Sequence, residues 1–134
     1  MSCVFCDLIS GQVASSVVIR EAQAIAFLDR TPLFKGHVLV APVAHVETLP
    51  ELADLQPVFS LVQRISVALP RALGAQGTFV ALNNIVSQSV PHLHVHVVPR
   101  TKGDGLKGFF WPRTKYASDD ERDSFAAKIA AALA

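Results

Sequence analysis

The sequence predicts an α+β domain built on a mostly antiparallel sheet. Two observations carry that expectation. Short apolar runs at 17–20, 24–28, 37–41, 77–82 and 92–98 read as strands, and they come in clusters. One long stretch of helical periodicity, from about Asp54 to Leu73, interrupts them. Strands grouped in this way, with short turns between them, pair antiparallel; regular alternation of strand and helix would instead build a parallel sheet.

The elements follow in order. Val4 to Ile9 reads as a short helix ended by Gly11. Val17–Arg20 and Ala24–Leu28 read as two strands joined by a turn. His37 to Ala41 is an apolar stretch after Gly36, closed by Pro42. Thr48 and Glu51 have capping-box spacing ahead of the helical region. Val58, Leu61, Val62, Ile65 and Leu69 form the apolar stripe of the main helix. Pro57 suits its first turn, and Pro70 is expected to kink or end it. Gly77–Leu82 is a strand leading into Asn83 and Asn84, and His92–Val98 is the last central strand, with Pro91 tolerable at its start. Ser118 and Glu121 repeat the capping-box spacing, and Phe125, Ile129 and Leu133 then mark a final amphipathic helix. No internal repeat or low-complexity linker divides the 134 residues, so residues 1–134 are expected to form a single domain, with a C-terminal loop and helix over about 99–134.

Composition excludes several classes. Hydrophobic residues make up 51% and charged residues 17%, a globular balance rather than a disordered one. The net charge of +1 exerts no general pull toward nucleic acid or membrane. There is no apolar run of about eighteen residues to cross a bilayer and no basic-then-apolar leader at the N-terminus. The two cysteines, three positions apart, do not make a disulfide framework, and a cytoplasmic location is the expectation.

The most informative line is His92-Leu93-His94-Val95-His96, followed by Val97 and Val98. On a strand, alternate side chains share a face, so the three histidines would stand about 6.5–7 Å apart on one side. Leu93, Val95 and Val97 would then face the core. A lone histidine on a strand is usually a surface or satisfied core residue; three of the chain's five histidines in strict alternation are not easily read that way. Two chemistries use such a face. Neutral imidazoles ligate zinc. Alternatively one imidazole attacks phosphorus while another hydrogen-bonds the phosphate oxygens. Gln88 and Ser89, just upstream, offer an amide and a hydroxyl that suit phosphate and leaving-group oxygens better than a metal.

The run Gln88-Ser89-Val90-Pro91-His92-Leu93-His94-Val95-His96-Val97-Val98 closely resembles the signature of the histidine triad (HIT) family of nucleotide hydrolases and transferases, and the likeness covers most of Cys3 to Arg100. The resemblance implies a HIT-like fold with a five-stranded antiparallel sheet and a packed helix, and a homodimer. It implies cleavage at the α-phosphorus of a purine nucleotide or nucleotide conjugate through a nucleotidyl-histidine intermediate. On that pattern His94 is the nucleophile and His96 hydrogen-bonds the α-phosphate. Ser89 sits by the leaving-group atom, and Gln88 positions phosphate oxygens.

Cys3-Val4-Phe5-Cys6 is a CxxC motif open to three readings: a redox pair, two inert hydrophobes, or two thiolate ligands of one zinc. A tetrahedral structural zinc needs two further ligands. In the zinc-carrying branch of the HIT family these are a His after the third strand and the first triad His, which match His45 and His92 here. His92 would then be no free acid or base. His37, after Gly36, lies outside both groups and reads as ordinary, although the family often has a His there.

Asp29 ends the second strand before Thr31-Pro32, where turn capping is its commonest role. In the family an Asp at this place accepts both ribose hydroxyls. Phe5, Leu8, Val13 and Phe27 match purine-slot positions and are equally compatible with plain core packing. Asn83 matches an asparagine near sugar and phosphate, with Asn84 beside it as a possible substitute. Val86 and Ser87 depart from the family, which commonly has glycines there. Residues 99–117 form a loop rich in Gly, Lys and Arg, whose bland reading is a solvated surface. Phe109, Phe110 and Trp111 within it are candidates for a dimer contact. Outside hydrolysis, the residues leave open a nucleotidyltransferase or phosphorylase, a nucleotide-binding regulatory module, and a metallohydrolase with catalytic zinc on His92, His94 and His96. The last leaves Gln88-Ser89 and the CxxC unexplained.

Overall fold

A computed structural model describes residues 3–106 and 113–133. Residues up to 104 form one compact unit, and the segment from 105 onward forms a second. In the first unit the elements run α1 (Val4–Ile9), β1 (Val17–Arg20), β2 (Ala24–Leu28), β3 (Val38–Pro42), a 3-10 turn (Leu49–Glu51), α2 (Gln56–Leu73), β4 (Gly77–Ala81) and β5 (Val95–Arg100). The five strands make one sheet in the order β1-β2-β3-β5-β4, and every pairing is antiparallel. This is the expected α+β fold.

The period-2 alternation of the strands sorts side chains onto two cores. Ala24, Ala26, Val38, Val40, Val95 and Val97 face α2, where Val58, Leu61, Val62, Ile65 and Leu69 meet them. Those five are the buried residues of α2, as its periodicity predicts. Each such side chain contributes about 1.5–3 kcal/mol by leaving water. The opposite parity, Ile25, Phe27, Leu39 and Ala41, faces α1 and packs with Phe5, Leu8 and Ile9. His92 and His94 fall on this second face, against Phe5, and His96 follows beside His94.

The helix α2 ends at Leu73 as expected, while several other details differ from the expectation. β5 begins at Val95, so His92 and His94 precede it. The reason lies in β3: Pro42 has no N–H to donate, and its carbonyl accepts the His92 ring Nε2–H at 2.8 Å. Leu93 N–H turns instead to Val46 O, at 2.6 Å. α2 continues past Pro70 and stops at Gly74, which takes the left-handed conformation at φ 71°. Thr48 donates its hydroxyl to Glu51 Oε1 at 2.9 Å and opens a single 3-10 turn rather than the long helix. In the second unit, α3 (Asp119–Ala132) has the expected cap, Ser118 Oγ accepting Glu121 N–H at 3.1 Å. Within this unit none of its described residues is buried, the Phe125 ring lies 5.8 Å from that of Tyr116, and Leu133 lies outside the helix as its C-cap. Phe109, Phe110 and Trp111 lie outside the described residues.

Candidate functional site

A cavity of about 490 Å³ opens between α1, the end of β2 and the approach to β5. Phe5, Leu8, Val13 and Phe27 form its apolar side, with Phe5 and Phe27 in edge contact at 5.2 Å between ring centroids. Asp29, Ser89, His94 and His96 supply its polar side. The sheet explains the convergence: Phe27, Leu39 and the histidines share one strand parity, and α1 lays Phe5 and Leu8 over that face.

The tautomers follow from the partners. His94 Nδ1 lies 2.8 Å from the His92 carbonyl, which can only accept, so Nδ1 carries the proton. Neutral His94 therefore holds a lone pair on Nε2, the atom a nucleophile needs. A second series runs through His37. Leu33 N–H donates to His37 Nδ1 at 3.1 Å, which leaves the His37 proton on Nε2. That Nε2–H donates to His96 Nδ1 at 2.9 Å, and His96 must then carry its own proton on Nε2 as a donor. Both rings are held neutral. Burial pushes His96 down to about 4, with His94 and His37 adding to it against the pull of Asp29. Burial likewise lowers His37, although Asp29 opposes it.

His37 thus belongs to the site, contrary to its reading as ordinary. The one signal in the sequence was the resemblance, since the family often has a His there; the strand pairing supplies the reason, because β3 pairs Leu39 with His96 and so makes His37 a diagonal neighbour of His96 on the same face. Asp29 divides its work. Its Oδ1 accepts Thr31 N–H at 2.9 Å, the turn-capping role, while Oδ2 stands 3.7 Å from His37 Nε2.

Cys3, Cys6, His45 and His92 form a second cluster whose ligand atoms all lie within 4.8 Å of one another. His92 Nδ1 is 3.5 Å from Cys3 Sγ and 3.6 Å from Cys6 Sγ, and His45 Nδ1 is 3.4 Å from Cys6 Sγ. Zinc bonds of about 2.3 Å to sulfur and about 2.0–2.1 Å to nitrogen, at tetrahedral angles, put S and N about 3.5–3.6 Å apart. The cluster has those edges. Its outer contacts also suit a metal: His92 Nε2–H is fixed on Pro42 O, leaving Nδ1 as the ligand atom. His45 Nε2 faces Glu47 Oε1 at 3.9 Å. Burial lowers the His92 pKa and so favours the neutral, ligating ring. Burial and the neighbouring Cys3 and Asp7 raise that of Cys6, the tension expected where two thiols wait for a cation. These residues fit a structural zinc.

Gln88 and Asn83 are not among the cavity's lining residues. Gln88 ties two segments together: its amide donates to Glu47 O at 2.6 Å, and its Oε1 accepts Ile85 N–H at 2.9 Å. Asn83 Nδ2 donates to Ser87 O, and Asn84 Oδ1 accepts Leu49 N–H. The same loop holds Ile85 and Ser87 at φ 71° and 62°, a conformation costly for residues with a Cβ and especially for a β-branched one.

Comparison with known proteins agrees with this geometry. A family model described as the HIT domain matches residues 10–103. The chain is 34% identical over 138 residues to Protein hit of Bacillus subtilis, covering 99% of this chain and 92% of that protein. It is 34% identical over 116 residues to adenosine 5'-monophosphoramidase hnt1 of Schizosaccharomyces pombe, covering 84% of each. Among solved structures, a HIT family member from Bacillus subtilis superimposes with a TM-score of 0.89 at 32% identity, covering 100% of this chain and 99% of that one. A zinc-bound histidine triad family protein from Mycobacterium smegmatis gives 0.74 at 31% identity, covering 99% of each. The chain belongs to the HIT domain family.

Proposed function

We propose that this protein is a nucleotide hydrolase that cleaves a bond at the α-phosphorus of a purine nucleotide, a phosphoramidate or a dinucleoside polyphosphate. One observation carries the reading: the His92 carbonyl fixes the His94 proton on Nδ1 and leaves Nε2 free in a cavity shaped for a nucleoside. His94 Nε2 attacks phosphorus and forms an N–P bond. The leaving group departs with the electron pair of the P–N or P–O bond and takes a proton from solvent beside Ser89, which the attacking water of the second step returns. Water then attacks the nucleotidyl-histidine, releases the nucleoside monophosphate and restores His94. His96 Nε2–H, oriented through His37, donates to the α-phosphate, and such placement and charge support is most of what phosphoryl chemistry requires. Asp29 Oδ2 receives the ribose, and the apolar wall of Phe5, Leu8, Val13 and Phe27 receives the base. Asn83 and Gln88 act from behind the cavity by shaping the loop that carries Ser89.

Cys3, Cys6, His45 and His92 would hold a structural zinc, which would tie α1 to the segment after β3 and to His92, whose carbonyl orients His94. His92 faces the cysteines, which disfavours a catalytic zinc shared with His94 and His96. The fission yeast relative's name, a monophosphoramidase, favours a phosphoramidate substrate. Residues 1–134 then form a single HIT domain acting in the cytoplasm as a homodimer. Among the described residues no helix is long and apolar enough to cross a membrane.

The test uses adenosine phosphoramidate and diadenosine polyphosphates. His94→Gly is expected to lose almost all turnover while still binding AMP, and rapid-quench mass spectrometry of the wild type to show a nucleotidyl adduct on His94. Substantial turnover by His94→Gly without added imidazole refutes the covalent route. Adduct formation with no net hydrolysis points to a transferase, and nucleotide binding with neither points to a regulatory module.

A further inference from the structure

Arg30 lines the nucleotide cavity next to Asp29. It is the one Lys or Arg among the lining residues and is exposed to solvent, so it stands at the cavity rim. Its guanidinium pairs with no carboxylate among the described residues. By contrast Arg64 is engaged by Glu21, Arg100 by Asp104, and Arg20 by the Ile9 carbonyl. The adjacent Asp29 forms no ion pair with it: Oδ1 accepts Thr31 N–H and Oδ2 faces His37.

A nucleotide placed with its phosphate at His94 and His96 and its ribose at Asp29 puts its base against Phe5, Leu8, Val13 and Phe27. Those four side chains hold the faces of a purine and offer nothing to its polar edge. Arg30, at the rim, is the one cation on the lining of the same cavity. It presents five N–H donors and no acceptor. A 6-oxopurine shows two adjacent acceptors, O6 and N7, which a guanidinium fork can meet together. On that same edge adenine shows one acceptor, N7, beside an amino donor at N6 that would oppose the fork.

We propose that Arg30 is a specificity-determining residue that selects 6-oxopurine nucleotides, those of guanine or hypoxanthine, over adenine nucleotides. The proposal rests on the nucleotide reading of the same cavity. A buried bidentate pair discriminates between bases by about five- to a hundredfold or slightly more, and solvent at the rim brings the expectation to the low end, about tenfold.

Titration calorimetry of the whole protein with AMP, GMP and IMP tests it, in the wild type, Arg30→Leu and Arg30→Lys. GMP and IMP are expected to bind the wild type about tenfold more tightly than AMP. Arg30→Leu is expected to bring them to the level of AMP, and Arg30→Lys, with no fork, to restore only part of the preference. Equal binding of AMP and GMP by the wild type, as a guanidinium stacked on either base would give, overturns the proposal while leaving the nucleotide site standing. So does a preference that survives Arg30→Leu. Failure of all three nucleotides to bind overturns the nucleotide reading itself and this proposal with it.

Discussion

Acid is expected to weaken the fold through His96, and the His37–His96 contact sets how much. In the unfolded chain this imidazole takes a proton near its ordinary 6.5; in the folded protein it resists until about 4. Between those values the unfolded state binds more protons, so stability is complete above about 6.5 and falls as pH drops toward 4. At full strength the gap corresponds to about 3 kcal/mol. His96 is only half-buried, and solvent screening reduces this to about 1–2 kcal/mol. The groups facing it are His94 and His37, which disfavour its charge, and Asp29, which favours it. His37, also lowered, acts with the same sign. Urea unfolding at about pH 7 and about pH 4.5 measures the loss. His96→Asn is the control: its amide oxygen can still accept the His37 Nε2–H, but it does not titrate. Acid also releases any metal from the Cys/His cluster, but equally in both proteins, so the difference between them isolates His96. Wild type is expected to lose about 1–2 kcal/mol more than His96→Asn over this interval. Parallel losses, or an NMR titration of the His96 ring centred near 6.5, would refute the reasoning.

Three further outcomes are expected. Elemental analysis should find about one zinc per chain, and Cys3→Ser or His45→Ala should lose the metal together with about 4 kcal/mol of stability when zinc is present at a thousand times its Kd; fully stable, zinc-free wild type would remove the site. Asp29→Ala should weaken AMP or GMP binding about tenfold or more, and Asp29→Asn, which keeps the Thr31 turn but lacks the charge, should share part of that loss in calorimetry if the ribose contact is real. Gly36→Ala should cost about 1–3 kcal/mol in urea unfolding, because φ there is +98° and the added Cβ would overlap Leu73 Cδ1; an unchanged midpoint would show that the turn before His37 relaxes freely.

The sequence by itself determined the elements and the faces they bury. Periodicity is a local property, so the stripe Val58, Leu61, Val62, Ile65 and Leu69, the parity of β2 and β3, and the apolar side of the triad could all be read in one dimension. The Cys3–Cys6 spacing and the triad likewise mark two groups of chemistry-bearing residues in the sequence itself. What tertiary structure decided was which atoms meet. The triad divides because Pro42, lacking an N–H, releases the chain from β3 before Val95, and its carbonyl turns the His92 ring toward the cysteines. His37 joins His96 across a strand pair 59 residues apart in sequence, a closeness that no local pattern encodes. Gln88 shows the converse: its place beside Ser89 promised a phosphate contact, yet its amide is spent on Glu47 and Ile85, because unpaired backbone groups in a tight loop claim the nearest partner. Hydrophobic pattern fixes faces because burial is nondirectional and sums over many residues. Hydrogen bonds and ligand geometry are directional, and they depend on a few ångströms that only the assembled fold sets.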